Sequence, residues 1–182
     1  MRILYIITKF ITLPMAYLKS VWEHVACVML RLAVEHKECL TMDEACGHVE
    51  HKLADKKAKA YFMCAIPSFI MTLAAVVLAA AGAIPLFYLG VCKGAAISSR
   101  PGVFWLYVAF IYLGGSALCN MFPMVEDVMQ MRAMIYGKDG ANIFVKIILF
   151  LPVLWLTIGA YLEKYCVTFL LTAGAVAAGF LL

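Results

Sequence analysis

Apolar runs long enough to cross a bilayer alternate with short polar stretches along this chain. Residues 60–91, AYFMCAIPSFIMTLAAVVLAAAGAIPLFYLGV, carry no charge and exceed the ~20 residues that a spanning helix needs. Residues 103–119, VFWLYVAFIYLGGSALC, read as a second span, with Gly114, Gly115, Ser116 and Ala117 as a close-packing face. Two further spans are expected at 143–162 and 165–182, joined by a tight turn at Glu163 and Lys164. Residues 3–34 are helical by composition but interrupted by Lys9, Pro14, Lys19, Glu23, His24 and Arg31. They read as an interfacial or membrane helix bent near Pro14, followed by a buried helix, or as one long tilted helix inside a bundle. Backbone groups in lipid must be satisfied within their own segment, so helices are the default, and no strand pattern stands out.

The resulting expectation is an all-α integral membrane protein with four to five transmembrane helices and an N-terminal interfacial or membrane helix. Residues 1–182 form a single polytopic membrane domain. Composition agrees: 65% of the residues are hydrophobic and 14% charged, against about half and a quarter in soluble domains. The net charge of +4 is small and sits beside the apolar runs, a topology signal rather than a nucleic-acid footprint. The partner is therefore the lipid bilayer. Residues 35–59 hold five lysines, at 37, 52, 56, 57 and 59, which assigns this His/Cys/Lys-rich loop to the cytoplasm. The helical hairpin that follows returns residues 120–142 to the same face. Arg2 and the apolar stretch after it resemble a leader, but Lys9 interrupts the stretch and no small-residue cleavage site follows, so the segment is read as retained. The seven cysteines are odd in number and several lie in apolar runs, which argues for reduced thiols rather than a disulfide framework.

Three stretches can carry chemistry. In WEHVAC, His24 and Cys27 are three apart and Glu23 and Cys27 four apart, so each pair shares a helix face and could bind one metal. An ionisable residue in a membrane helix is costly and by default functional. The plainer reading is that Glu23 and His24 sit solvated at the interface or pair with Lys19. In CGHVEHKLADKK, Cys46, His48 and His51 crowd together with Glu50 between the histidines. His24, Cys27, His48 and His51 then make a plausible tetrahedral zinc set, and the plainer reading is a hydrated loop. In NMFPMVEDV, Glu126 and Asp127 follow Pro123; Asp127 is a ligand, a group orienting a ligating histidine, or an acidic residue at a helix N-terminus. The five methionines between 121 and 134 read as an adaptable amphipathic helix.

In the order and spacing of these parts the chain resembles the membrane-embedded site-2 protease class of metallopeptidases. An early helix bears a metal motif with a glutamate, a helical hairpin follows, and a later span ends in Asn-x-x-Pro, here Asn120 and Pro123, with a downstream aspartate, here Asp127. Where that family reads His-Glu-x-x-His, this chain reads Glu-His-x-x-Cys at 23–27, and its Asn-to-Asp spacing is one residue shorter. The resemblance implies zinc held by His24, Cys27, His48, His51 and Asp127, with Glu23 or Glu50 as general base in hydrolysis of a peptide or membrane-protein substrate. Catalytic zinc keeps three protein ligands and one open position. Five ligands are too many for that. The second reading is accordingly a non-enzymatic accessory or scaffold protein with a closed structural metal site, or with none; a transporter is a weaker third.

Overall fold

A computed structural model describes residues 2–38, 48–92, 101–138 and 140–181. Cys39 and Cys46 lie outside the described residues, as do Lys93 and Arg100 of the connection after the first long span. The protein is predominantly helical, 82% helix. Its elements run α1 (Arg2–Ile11), α2 (Leu13–Leu30), β1 (Val34–Glu38), β2 (His48–His51), α3 (Lys57–Cys92), α4 (Pro101–Cys119), α5 (Val125–Tyr136), α6 (Ile143–Lys164) and α7 (Val167–Leu181).

Three helices, α3, α4 and α6, are long and apolar enough to cross a membrane. The pair α1–α2 qualifies as one broken span, bent by 90°, which brings the number to four. The bend falls at Thr12, with Pro14 in the first turn of α2, where a missing N–H costs nothing. The expected last span is the 15-residue α7. Its described residues form an apolar helix shorter than those counted above. The expected turn before it is present: Cys166 adopts a left-handed backbone, φ 59°, between α6 and α7.

The α3–α4 hairpin packs at glycines. A Cβ on Gly114 would stand 2.6 Å from the Ala79 nitrogen, and one on Gly82 2.7 Å from the Tyr107 carbonyl oxygen. The last turn of α4 meets α3 at Met71 and Ala75, where Met15 of α2 joins them. The first turns of α3 therefore extend beyond α4. There Ala60 and Cys64 pack with Val128, Met131 and Ile135 of α5 and with Val153, Leu156 and Ala160 of α6. Pro67 and Pro85 sit inside α3 without ending it.

The segment 35–59, expected as an irregular loop, contains a two-stranded antiparallel sheet and the first turn of α3. Val34 pairs with His51 and Glu38 with His48, with a bulge between Val34 and His36. Val49 is buried against Ala26 and Cys27 of α2 and Met63 of α3.

Several of these helices are turned inside out. On α2, Lys19, Ser20 and Glu23 are buried, while Tyr17, Val21, Val25, Val28 and Met29 are exposed. On α1, Thr8 and Lys9 are buried and Ile3, Ile7 and Phe10 exposed. Helix α6 exposes Phe144, Ile147, Ile148, Leu151 and Trp155. In water such a distribution would be unfavourable at every one of these positions. In lipid it is the favourable one, because ionisable groups of a membrane helix face the bundle interior.

Candidate functional site

The fold brings four of the expected residues together: Glu23 from α2, His48 and His51 from β2, and Asp127 from the first turn of α5. The buried face of α2 points Glu23 at the sheet. Its Oε2 accepts from His48 Nδ1 at 2.9 Å and from the Val49 backbone N–H at 3.1 Å. Across the site, Asp127 Oδ2 lies 3.9 Å from His48 Nε2 and Asp127 Oδ1 lies 3.6 Å from His51 Nε2. The second ring nitrogen of His51 faces the Lys52 carbonyl oxygen at 3.0 Å.

These partners fix the tautomers. Nδ1 of each histidine faces an oxygen acceptor, so in the neutral ring, the form that ligates a metal, Nδ1 carries the hydrogen and Nε2 the lone pair. Both Nε2 atoms then present lone pairs to the carboxylate of Asp127. Acceptor faces acceptor across distances too long for a hydrogen bond. His51 Nε2 is buried without any hydrogen-bond partner. With both rings neutral the site also lacks positive charge, because within 4 Å the two imidazoles are the only basic partners of Glu23 and Asp127 among the described residues. A cation between the Nε2 atoms and Asp127 resolves both problems. Zinc–ligand bonds of ~2.0–2.2 Å imply ligand atoms about 3.3 Å apart in a tetrahedron, so the observed separations need to close by about half an ångström. Among the described residues, no three His, Cys, Asp or Glu side chains stand at metal-binding geometry.

One histidine is held through its far nitrogen by a carboxylate and the other by a backbone carbonyl, the kind of contact that orients histidine ligands where a metal is bound. Burial disfavours protonated His48, yet the charge and hydrogen bond of Glu23 outweigh it and hold its pKa above the usual imidazole value. Burial, with the Glu23 charge adding to it, raises Asp127 against the opposing pull of the imidazoles.

The other expected residues make no side-chain hydrogen bond or ion pair with these four among the described residues. The Cys27 thiol is fully buried and faces Met63 Sδ at 3.8 Å. His24 Nδ1 is buried without a partner, and no hydrogen bond or ion pair joins it to His48, His51 or Asp127. Glu50 is exposed on β2.

A second polar cluster has no counterpart in the sequence reading. Lys9 donates to Glu163 Oε1 at 2.5 Å and to Asn120 Oδ1 at 2.7 Å. Lys19 donates to the Phe122 carbonyl oxygen and lies 3.3 Å from Glu163 Oε1. Glu163 Oε2 accepts from the Phe122 N–H at 3.0 Å. Asn120 Nδ2 donates to Thr12 Oγ1 and to the Ser116 carbonyl oxygen, each at 2.8 Å. The signal available in the sequence was the presence of Lys9, Lys19 and Glu163 inside or at the end of apolar helices.

Compared with known proteins, the chain matches no family model, no curated protein and no solved structure. The geometry alone carries the functional reading.

Proposed function

We propose that this is a membrane-embedded metal-binding protein of the site-2 protease type, with His48 Nε2, His51 Nε2 and the Asp127 carboxylate as ligands. The observation that carries this reading is the pair of anchored histidines whose Nε2 atoms face one partly buried carboxylate. Without Cys27 and His24 the set has three protein ligands, the number that leaves a coordination position open for water or substrate. That favours a hydrolytic site over a closed structural one. Zinc bound there would lower the pKa of a coordinated water to about 7 and polarise a scissile carbonyl. The chain's own residues do the rest. Glu23 holds the His48 ring in orientation, the Lys52 carbonyl holds His51, and Asp127 supplies the negative charge. Val49, next to His48 on β2, packs with Cys27 and Met63. The substrate class we propose is a peptide or membrane-protein segment presented at the membrane face. By the lysine excess of 35–59, that face is the cytoplasmic one.

One observation favours a second reading, a non-enzymatic membrane component that binds metal. Glu23 is committed to His48 and Val49, and Glu50 is exposed, so neither glutamate offers a free carboxylate beside the ligands. The two readings separate in one experiment. Detergent-purified protein is assayed for zinc and for cleavage of a panel of transmembrane peptides in nanodiscs, wild type beside Asp127→Asn. Zinc-dependent cleavage lost in the variant supports the peptidase. Stoichiometric zinc with no cleavage of any peptide supports the binding component. No zinc in the wild type overturns both.

A further inference from the structure

The junction between α4 and α5 is a break in helical structure, and Asp127 follows it by one turn. Between Cys119 and Val125 the backbone leaves the helix and loses its intrahelical partners. In a lipid-surrounded bundle each such group costs several kcal/mol unless something else satisfies it. Here side chains from two other helices do so, and a third holds a side chain of the junction. Phe122 finds an acceptor for its N–H in Glu163 of α6 and a donor for its carbonyl in Lys19 of α2. Lys9 of α1 holds the Asn120 side chain. The Phe122 ring stacks edge-on against Trp155, centroids 5.8 Å apart, and lies so close to Gly159 that a Cβ there would collide with it. Lys19 and Glu163 are themselves paired, and the negative ends of α4 and α6 offset the surplus lysine charge.

Lys19 lies one turn before Glu23 on the same buried face of α2. One helix therefore fixes both sides of the site: Glu23 sets His48, and Lys19 sets the junction that carries Asp127. We propose that Lys19 and Glu163 are positioning residues for the metal site, acting on the Phe122 peptide groups to hold Asp127 opposite His48 and His51. This rests on the reading of His48, His51 and Asp127 as ligands. It separates a role for the second polar cluster in the site from a role in general stability alone.

The test is a double-mutant cycle on zinc affinity, measured by chelator competition on the full chain in detergent, with Lys19→Met, Asp127→Asn and the double variant. Loss of an outer-shell partner costs 10–100-fold in affinity, and that is the expected effect of Lys19→Met. If Lys19 acts through Asp127, adding Lys19→Met to Asp127→Asn costs nothing more. X-ray absorption of Lys19→Met should show both imidazoles kept and the carboxylate oxygen weakened or lost, a change that destabilisation alone does not produce. Gly159→Ala, which pushes on the Phe122 ring without touching the charges, should reproduce the effect and serves where Lys19→Met does not fold. Wild-type affinity in folded Lys19→Met or Gly159→Ala, or additive losses in the cycle, would overturn the positioning role while leaving the ligand set intact. A wild type without zinc would overturn the ligand set and the positioning role together.

Discussion

Replacing Glu23 by glutamine removes a charge and little volume from the most connected point of the site. Glu23 is 3% exposed, and one oxygen, Oε2, accepts from both His48 Nδ1 and the Val49 N–H. A glutamine can keep one neutral acceptor there, so what is lost is mainly charge assistance. Hydrogen bonds to charged groups contribute about 1.5–3 kcal/mol and neutral ones about 0.5–1.5. The difference is roughly 1–2 kcal/mol, a 5- to 30-fold weakening of zinc binding at 1.4 kcal/mol per decade. If the amide nitrogen turns to His48 instead, the ring must move its hydrogen to Nε2, and the ligand lone pair is lost, which extends the effect towards 100-fold. The assay is competition against a fluorescent zinc chelator at near-neutral pH, with Glu50→Gln as the control. Glu50 is exposed, so its variant should stay within about twofold of wild type. Unchanged affinity in Glu23→Gln, or an equal loss in Glu50→Gln, would refute the assignment of Glu23 as the group that orients His48.

The metal-free protein should lose stability as pH rises from about 6 to about 8. His48 is raised above its unfolded value, so its contribution is complete below the unfolded pKa of about 6.5 and disappears as pH passes the folded value. Asp127 is also raised, so its own loss of stability with rising pH begins lower, above the unfolded carboxylate value of about 3.9. Thermal unfolding of chelator-treated protein at the two pH values checks this, and a flat or opposite trend contradicts it. Cys27→Ser should leave zinc content unchanged and cost about 1–3 kcal/mol of stability, because it puts a hydroxyl among Ala26, Val49 and Met63; loss of zinc from a folded variant would make the thiol a ligand. Gly114→Ala should cost about 1–3 kcal/mol in detergent unfolding, since its Cβ would meet backbone atoms of Ala79 that cannot swing aside.

The long helices were legible because uncharged runs of this length have one low-energy solution in lipid. The elbow was legible because Pro14 tolerates only the first turn of a helix. His48, His51 and Asp127 stood out by residue type, but nothing local separated them from His24 and Cys27. The separation is tertiary: the α2 face that buries Glu23 and Cys27 gives one to a histidine and the other to a methionine. The strands were hidden because VEHKE and HVEH are short and polar, without an alternating apolar face. Lys9, Lys19 and Glu163 read as interruptions or a turn, since their pairing crosses 154 and 144 positions of chain. The inverted faces of α1 and α2 held the clue, as polar residues at helical spacing in an apolar segment mark the inside of a membrane bundle.

The most direct test of the central claim is zinc X-ray absorption on gently purified wild-type protein, with stoichiometry from elemental analysis. The ligand assignment predicts about one zinc per chain, two imidazole nitrogens, one carboxylate oxygen and one further light atom, with no sulfur. A metal-free protein, or a closed shell that includes a sulfur ligand, would contradict it.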